Sequence, residues 1–232
     1  MTTNQLTQAQ LDQLRRLNSP TVANAIEMFG VRLRNTGFTD SRVHCIFPEF
    51  PPIVGYAATV RIRTADPPME GRTFYDRTDW WNHILSVPAP RIVVAEDVDE
   101  PPGLGSFIGE VHANILDALD CVGVVTNGAV RGLRATRAIR FQMFAGNMSV
   151  SRAYAHIFDF GGPVIVGGMK VQAGDLLHGD VHGVQTIPLE IADKIPDAAE
   201  QIIRNKARLV ALCHSGEFTL DKIRAAVKDW KP

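Results

Sequence analysis

Cysteine is scarce in this chain. Cys45, Cys121 and Cys213 are its only three, they lie far apart, and none forms a C-x-x-C pair. That excludes a disulfide scaffold and a zinc ribbon, and predicts reduced thiols in a cytoplasmic protein. Excess charge is absent as well: 24 Lys and Arg face 25 Asp and Glu, a formal net charge of −1. No global field favours nucleic acid or an anionic membrane. No stretch approaches the ~18 apolar residues that span a bilayer. The opening MTTNQLTQAQLDQLRRL carries no signal-peptide run. Gly103-Leu104-Gly105 followed by Gly109 is not G-x-G-x-x-G, and no Walker A pattern occurs, which argues against nucleotide sites. Internal repeats, low-complexity segments and dividing linkers are missing too. What is present is 232 residues, 45% hydrophobic and 21% charged. This reads as one soluble globular domain over 1–232, large enough to bury about 70% of its unfolded surface.

The periodicity predicts an α/β fold with a β-α-β-α-β core and an antiparallel meander. Leu11, Leu14 and Leu17 mark a helix over 5–17. Ser19 as N-cap, with Pro20 at the first helical position, opens a second, and Gly30 ends it. Residues 31–52 hold several turn formers and read as loop with at most short strands. Residues 53–64 alternate as a half-buried strand, with Val54, Tyr56, Ala58, Val60 and Ile62 on the inner side. A loop and a short helix over 79–85 follow, with Trp80 and Trp81 packing on the sheet. Strands at 91–98, 121–127 and 141–145 alternate with helices, the signal for parallel strands and right-handed crossovers. The first crossover helix presents Ile108, Val111, Ile115, Ala118 and Leu119; the second runs from Ala129 to Ile139. Short strands over 163–187 and helices at 197–213 and 217–230 close the chain.

Ligands of open α/β sheets bind beyond the carboxyl ends of the strands. Two segments leave strands there. The 99–108 loop brings the amides of Gly105, Ser106 and Phe107 to the start of a helix, an anion-binding arrangement. The 126–131 segment puts Arg131 in the first turn of the next helix, against the helix dipole, which favours a functional role. A guanidinium and free amides suit a small carboxylate; equally, Arg131 could pair with Asp97 or Glu110. Glu110 and His112 are candidates for general acid–base work, with helix capping as the plainer reading of Glu110. Arg131, Arg134, Arg137 and Arg140 recur every three residues but lack interleaved aromatics, so they read as a solvated or interface face rather than a nucleic-acid stripe. His178, Asp180 and His182 could hold a metal, but the glycines around them favour hydrogen bonding at a turn.

The segment GEVHANILDALDCVGVVTNGAVRG (109–132) resembles the central motif of the RraA-like family, which includes ribonuclease regulators and 4-hydroxy-4-methyl-2-oxoglutarate aldolases. TVANAIEMFG (21–30), IVGYAATV (53–60) and VGGMKVQAGDLLHGDVHGVQTIP (166–188) extend the likeness to about residues 20–212, leaving 213–232 as a helical extension. The resemblance implies a fold related to swivelling β/β/α domains and a homotrimer or hexamer. It further implies a carbon–carbon lyase acting on a small 2-oxo acid through a pyruvate enolate, with Mg²⁺ or another divalent metal as cofactor. Arg131 matches the pyruvate-binding arginine and 105–107 the carboxylate-facing loop. The aldolase motif reads Asp-Gly-Ala-Val-Arg-Asp; this chain reads Asn127-Gly128-Ala129-Val130-Arg131-Gly132. Both acids are gone, and the family's metal-ligand position is a glycine. With 132 in a first helical turn, Gly132→Asp should cost little stability unless the glycine has a positive φ or close neighbours. A non-catalytic regulator on the same scaffold is the alternative reading.

Overall fold

The computed structural model describes residues 5–68 and 77–228. Among these residues nine strands form a mixed sheet: β1 (His44–Cys45), β2 (Ile53–Arg63), β3 (Arg91–Asp97), β4 (Ser106–Ile108), β5 (Cys121–Val130), β6 (Gln142–Met148), β7 (His156–Phe160), β10 (Leu176–Asp180) and β11 (Gly183–Ile187). The main path runs β1-β6-β5-β3-β2-β10-β11, with β4 paired to β5 and β7 to β2. The intervening β8 (Val164–Val166) and β9 (Met169–Val171) make a separate hairpin. Strands β2, β3, β5 and β6 are mutually parallel. Helices α4 (Glu110–Ala118) and α5 (Leu133–Ala138) cross over between the last three, as the sequence pattern requires. The expected meander is split between the β8–β9 hairpin and the β10–β11 pair, which returns antiparallel to β2.

Helices α1 (Gln8–Arg15), α2 (Ser19–Glu27) and α6 (Ile195–His214) bury their apolar stripes with one face of the sheet: Leu11, Leu14, Val22, Ile26 and Ile202 share a core with Val54, Ala58 and Val60. The other face is also buried. Val164, Val166, Met169 and Val171 of the hairpin pack with Ala57, Ile92, Val94, Val125 and Phe144. Strand β2 is therefore enclosed on both sides along most of its length, not half-buried as its alternation suggests. Small residues alternate there because a hairpin lies close over them, not because water does.

Local signals were shifted at several boundaries. Asn18, not Ser19, caps α2, its side chain accepting from the Thr21 amide at 2.9 Å. Strand β5 runs three residues further than expected because Ala129 and Val130 pair with Ser106 and Ile108 of β4. Helix α5 accordingly begins only after Gly132, so Arg131 stands before the helix and has no quarrel with its dipole. Ile108 belongs to β4, and α4 buries Ala113 and Leu116 rather than Val111. The two tryptophans divide. Trp80 of α3 (Arg77–Ser86) is buried against Phe160, while Trp81 is half-buried. Helix α7 (Leu220–Lys228) buries no residue, and residues 229–230 of the predicted last helix lie outside those described.

The His178–Asp180–His182 group ties α2 to β10. Ser19 Oγ donates to His178 Nδ1 (3.1 Å), because Nε2–H is committed to the Leu17 carbonyl (3.0 Å). Asp180 accepts from the Ser19 amide at 2.8 Å and the His182 amide at 2.9 Å. Burial holds the His178 ring below its ordinary pKa of 6.5 despite these bonds. Burial also works against the Asp180 carboxylate, but its hydrogen bonds from Ser19 and His182 prevail and keep its pKa low. The folded state thus keeps His178 neutral where the unfolded chain would protonate it. This contribution is whole above about pH 6.5 and is lost as pH falls through the depressed folded value. Asp180 acts only in the acid range below. His83, also depressed by burial, adds in the same direction as His178. Thermal melts at about pH 7.5 and 5.5 should show a fall in Tm that is smaller in His178→Gln. Equal falls in both proteins would show that His178 does not titrate with unfolding.

Candidate functional site

A cleft of about 1090 Å³ opens beyond the carboxyl ends of β4 and β5, between α3, α4 and β7. It brings together Ser106, Phe107, Glu110, His112 and Arg131, all singled out from the sequence, and Gly132 beside them. Gly105 is buried and does not line it.

Arg131 leaves the end of β5 with its amide donating to the Ile108 carbonyl at 3.1 Å. Its stem crosses Gly109, where a Cβ would stand 3.3 Å from Cγ and Nε. The missing side chain there makes room for the arginine. Among the described residues Arg131 forms no ion pair. Asp97, one partner considered for it, is buried and spends its carboxylate on the Gly103 amide (2.9 Å), the Asp99 amide (3.2 Å) and the Thr64 hydroxyl (3.2 Å). Burial raises the Asp97 pKa, with the three hydrogen bonds opposing. Its work is to pin the loop that leads into β4. Glu110, the other partner considered, begins α4 with its side chain exposed.

His112, one turn into α4, places Nδ1 3.2 Å from the Phe107 carbonyl and its ring edge-on to the Phe107 ring. A carbonyl only accepts, so Nδ1 carries the proton of this hydrogen bond. The loop amides behave differently from expectation. The Gly105 amide donates to Thr64 Oγ1 (3.2 Å) and that of Ser106 to the Ser151 carbonyl (3.0 Å). Both are consumed in holding β4 to its surroundings. Gly105 is required for packing: a Cβ there would meet the Arg152 carbonyl at 2.5 Å.

Several lining residues carried no sequence signal. His156 and Ile157 start β7, Arg152 precedes it, and Met148 ends β6. Arg152, His156 and Ile157 reach the cleft because β7 returns along the far end of β2, pairing His156 with Arg63, and Met148 because β6 pairs it with Val130 of β5. His156 repeats the arrangement of His112, its Nδ1 lying 2.7 Å from the Tyr154 carbonyl. The arginine series is dispersed. Arg137 pairs with Glu49 at 2.7 Å and Arg140 lies over the Phe50 ring, while Arg131 alone enters the cleft.

A hard cation such as Mg²⁺ needs oxygen ligands, one or two of them carboxylates. The family's ligand position, Gly132, has φ +68°, and a Cβ there would stand 2.9 Å from the Glu110 amide nitrogen. Asn127, at the other altered position, is engaged elsewhere: Oδ1 accepts from the Asp97 amide (2.7 Å) and Nδ2 donates to the Asp97 carbonyl (2.9 Å). Among the described residues no three His, Cys, Asp or Glu are grouped to hold a metal. The donor set here does not fit the cation that the resemblance implies.

A mixed sheet with this topology and an arginine at the end of a central parallel strand define an α/β scaffold with an arginine-lined cleft. The chain matches the sequence family described as "RraA-like: Aldolase/RraA" over residues 13–185 and belongs to the RraA-like family. It is 26% identical over 137 residues to a Halalkalibacterium halodurans protein named "Putative 4-hydroxy-4-methyl-2-oxoglutarate aldolase", covering 59% of this chain. The match spans 60% of that curated relative's length. In fold it is similar to a Pseudomonas syringae pv. tomato protein of unstated function, with TM-score 0.74, 19% identity and 97% of each chain covered. It is also similar to Streptomyces coelicolor RraAS2, titled an unusual member of the RNase ES inhibitor RraA family. There the TM-score is 0.69 at 18% identity, covering 88% of this chain and 96% of that one. No helix among the described residues is long and apolar enough to cross a membrane.

Proposed function

We propose that the cleft binds a small 2-oxo acid and cleaves a carbon–carbon bond in it through a pyruvate enolate, without the family's divalent cation. The observation that carries this reading is the Arg131 guanidinium, unpaired among the described residues, beside His112 in one cleft. Guanidinium takes a carboxylate bidentately. When the C3–C4 bond breaks, its electron pair forms the enolate and charge builds on the C2 oxygen, which fixed cationic groups stabilise. For a 4-hydroxy acid, His112 Nε2 accepts the hydroxyl proton as the bond breaks and returns it to C3 of the enolate. For oxaloacetate, carbon dioxide leaves and C3 of the enolate takes a proton from solvent, since this substrate gives none to the ring. Glu110 at the same wall is the second proton-handling group. A trimer or hexamer is our reading of the assembly, supported by exposed Val210, Phe218, Leu220 and Val227 on and between α6 and α7.

Assays with oxaloacetate and a 4-hydroxy-2-oxo acid, in Mg²⁺, Mn²⁺ or chelator, test this. Slow turnover that is equal in all three is expected. Strong Mg²⁺-dependent turnover would show that ligands come from elsewhere. The lost acids at 127 and 132 favour a second reading, a non-catalytic carboxylate-binding regulator. Acid binding with no turnover of either substrate would select it.

A further inference from the structure

The cleft is larger and more apolar than a three-carbon acid requires. Its volume of about 1090 Å³ matches the upper end of small-molecule sites, ~300–1,000 Å³. The polar end is confined. Arg131 crosses Gly109, the Glu110 amide abuts Gly132, and His112 is tied to Phe107, so these groups form one patch. Arg152 and His156 stand toward β7. Much of the remaining lining is apolar: Trp81, Val111, Ile115, Met148, Val150 and Ile157. Val111 and Ile115 lie one turn apart on α4 and both turn to the cleft, away from the Ala113 and Leu116 stripe that enters the core.

Three of these apolar side chains are open to water: Val111 is 73% exposed, Met148 59% and Val150 100%. A second carboxylate laid against them would lose hydration with no Lys or Arg of α4 or β6 to meet it. An apolar group laid there removes surface from water, at about fourfold in affinity per methylene equivalent buried. We infer that the cleft selects 2-oxo acids bearing an apolar substituent, branched aliphatic or aromatic. The carboxylate sits at Arg131 and the substituent lies against Val111, Ile115 and Met148. This rests on the reading of the cleft as a 2-oxo-acid site and adds the substrate class.

Calorimetric titration with pyruvate, oxaloacetate, 4-methyl-2-oxopentanoate and phenylpyruvate tests it. The last two should bind at least about tenfold more tightly than pyruvate, as two buried methylene equivalents would provide. In a Val111→Ser/Met148→Ser variant that ratio should fall to about threefold or less. Both positions are largely exposed, and a thermal melt checks that the variant folds. Pyruvate or oxaloacetate binding as tightly as the apolar acids would overturn the inference and leave the 2-oxo-acid reading standing. An unchanged ratio in the variant would overturn it as well. If in addition the variant sediments at lower mass, the apolar surface belongs to an interface between copies of the chain. Failure of all four acids to bind would overturn both the inference and the reading beneath it.

Discussion

Arg131→Lys should weaken binding of pyruvate-like acids by about 1.5–3 kcal/mol, roughly 10- to 150-fold in Kd. Lysine keeps the charge but loses the planar fork that meets both carboxylate oxygens. The protein's stability should hardly change. Arg131 is exposed and makes no ion pair among the described residues, and only its backbone amide ties it to β4. Calorimetry and a melting curve on the same preparation separate the two effects. Unchanged affinity for every acid that the wild type binds would make Arg131 a structural residue. A large loss of Tm with the loss of binding would point the same way.

The second large effect concerns the two positions where aldolase relatives of the motif carry acids. Gly132→Asp should cost about 2–4 kcal/mol of stability, because both exceptions to a small cost, a positive φ and a close neighbour, are met. The residue sits at φ +68°, where an L side chain costs ~1–2 kcal/mol. Its new Cβ would stand 2.9 Å from the Glu110 amide nitrogen, forcing the start of α4 to shift, and overpacking of this kind typically costs ~1–3 kcal/mol. An aspartate caps a helix from extended backbone, which this position does not have. Adding Asn127→Asp removes the Nδ2 donor and sets a carboxylate oxygen against the Asp97 carbonyl, now 2.9 Å from Nδ2. That is worth about 1–3 kcal/mol more. The double variant should therefore melt well below the wild type and gain no Mg²⁺-dependent decarboxylation. Denaturant unfolding and a Mg²⁺ titration check the two halves. A double variant as stable as the wild type that turns over oxaloacetate only with Mg²⁺ would show a pocket still shaped for a hydrated cation.

Residues 109–132 illustrate how far the sequence could be read. Strand β5, the crossover helix α4 and the parallel order of β3, β5 and β6 follow from local apolar runs and spacing. So does the position of Arg131 at the carboxyl edge of the sheet. The face of α4 did not follow. Val111 and Ile115 are spaced like core residues, but β4 claims Ile108 and starts the helix later, turning Ala113 and Leu116 inward instead. Gly105 stands in the loop leading to the cleft, but not as an anion donor. Its amide serves Thr64, and its bare Cα admits the Arg152 carbonyl.

The sequence by itself determined the α/β class, the family, the arginine of the cleft and the loss of two acids, because these are properties of residue identity and local period. Tertiary structure alone decided three things. It buried β2 on both faces under a hairpin more than a hundred residues away. It brought Arg152 and His156 to the cleft by returning β7 along β2. It also set Gly132 at a backbone angle and a distance from Glu110 that an aspartate does not fit. Each depends on pairings between distant segments, and no local periodicity encodes which strand a segment will meet or how closely two backbones will approach.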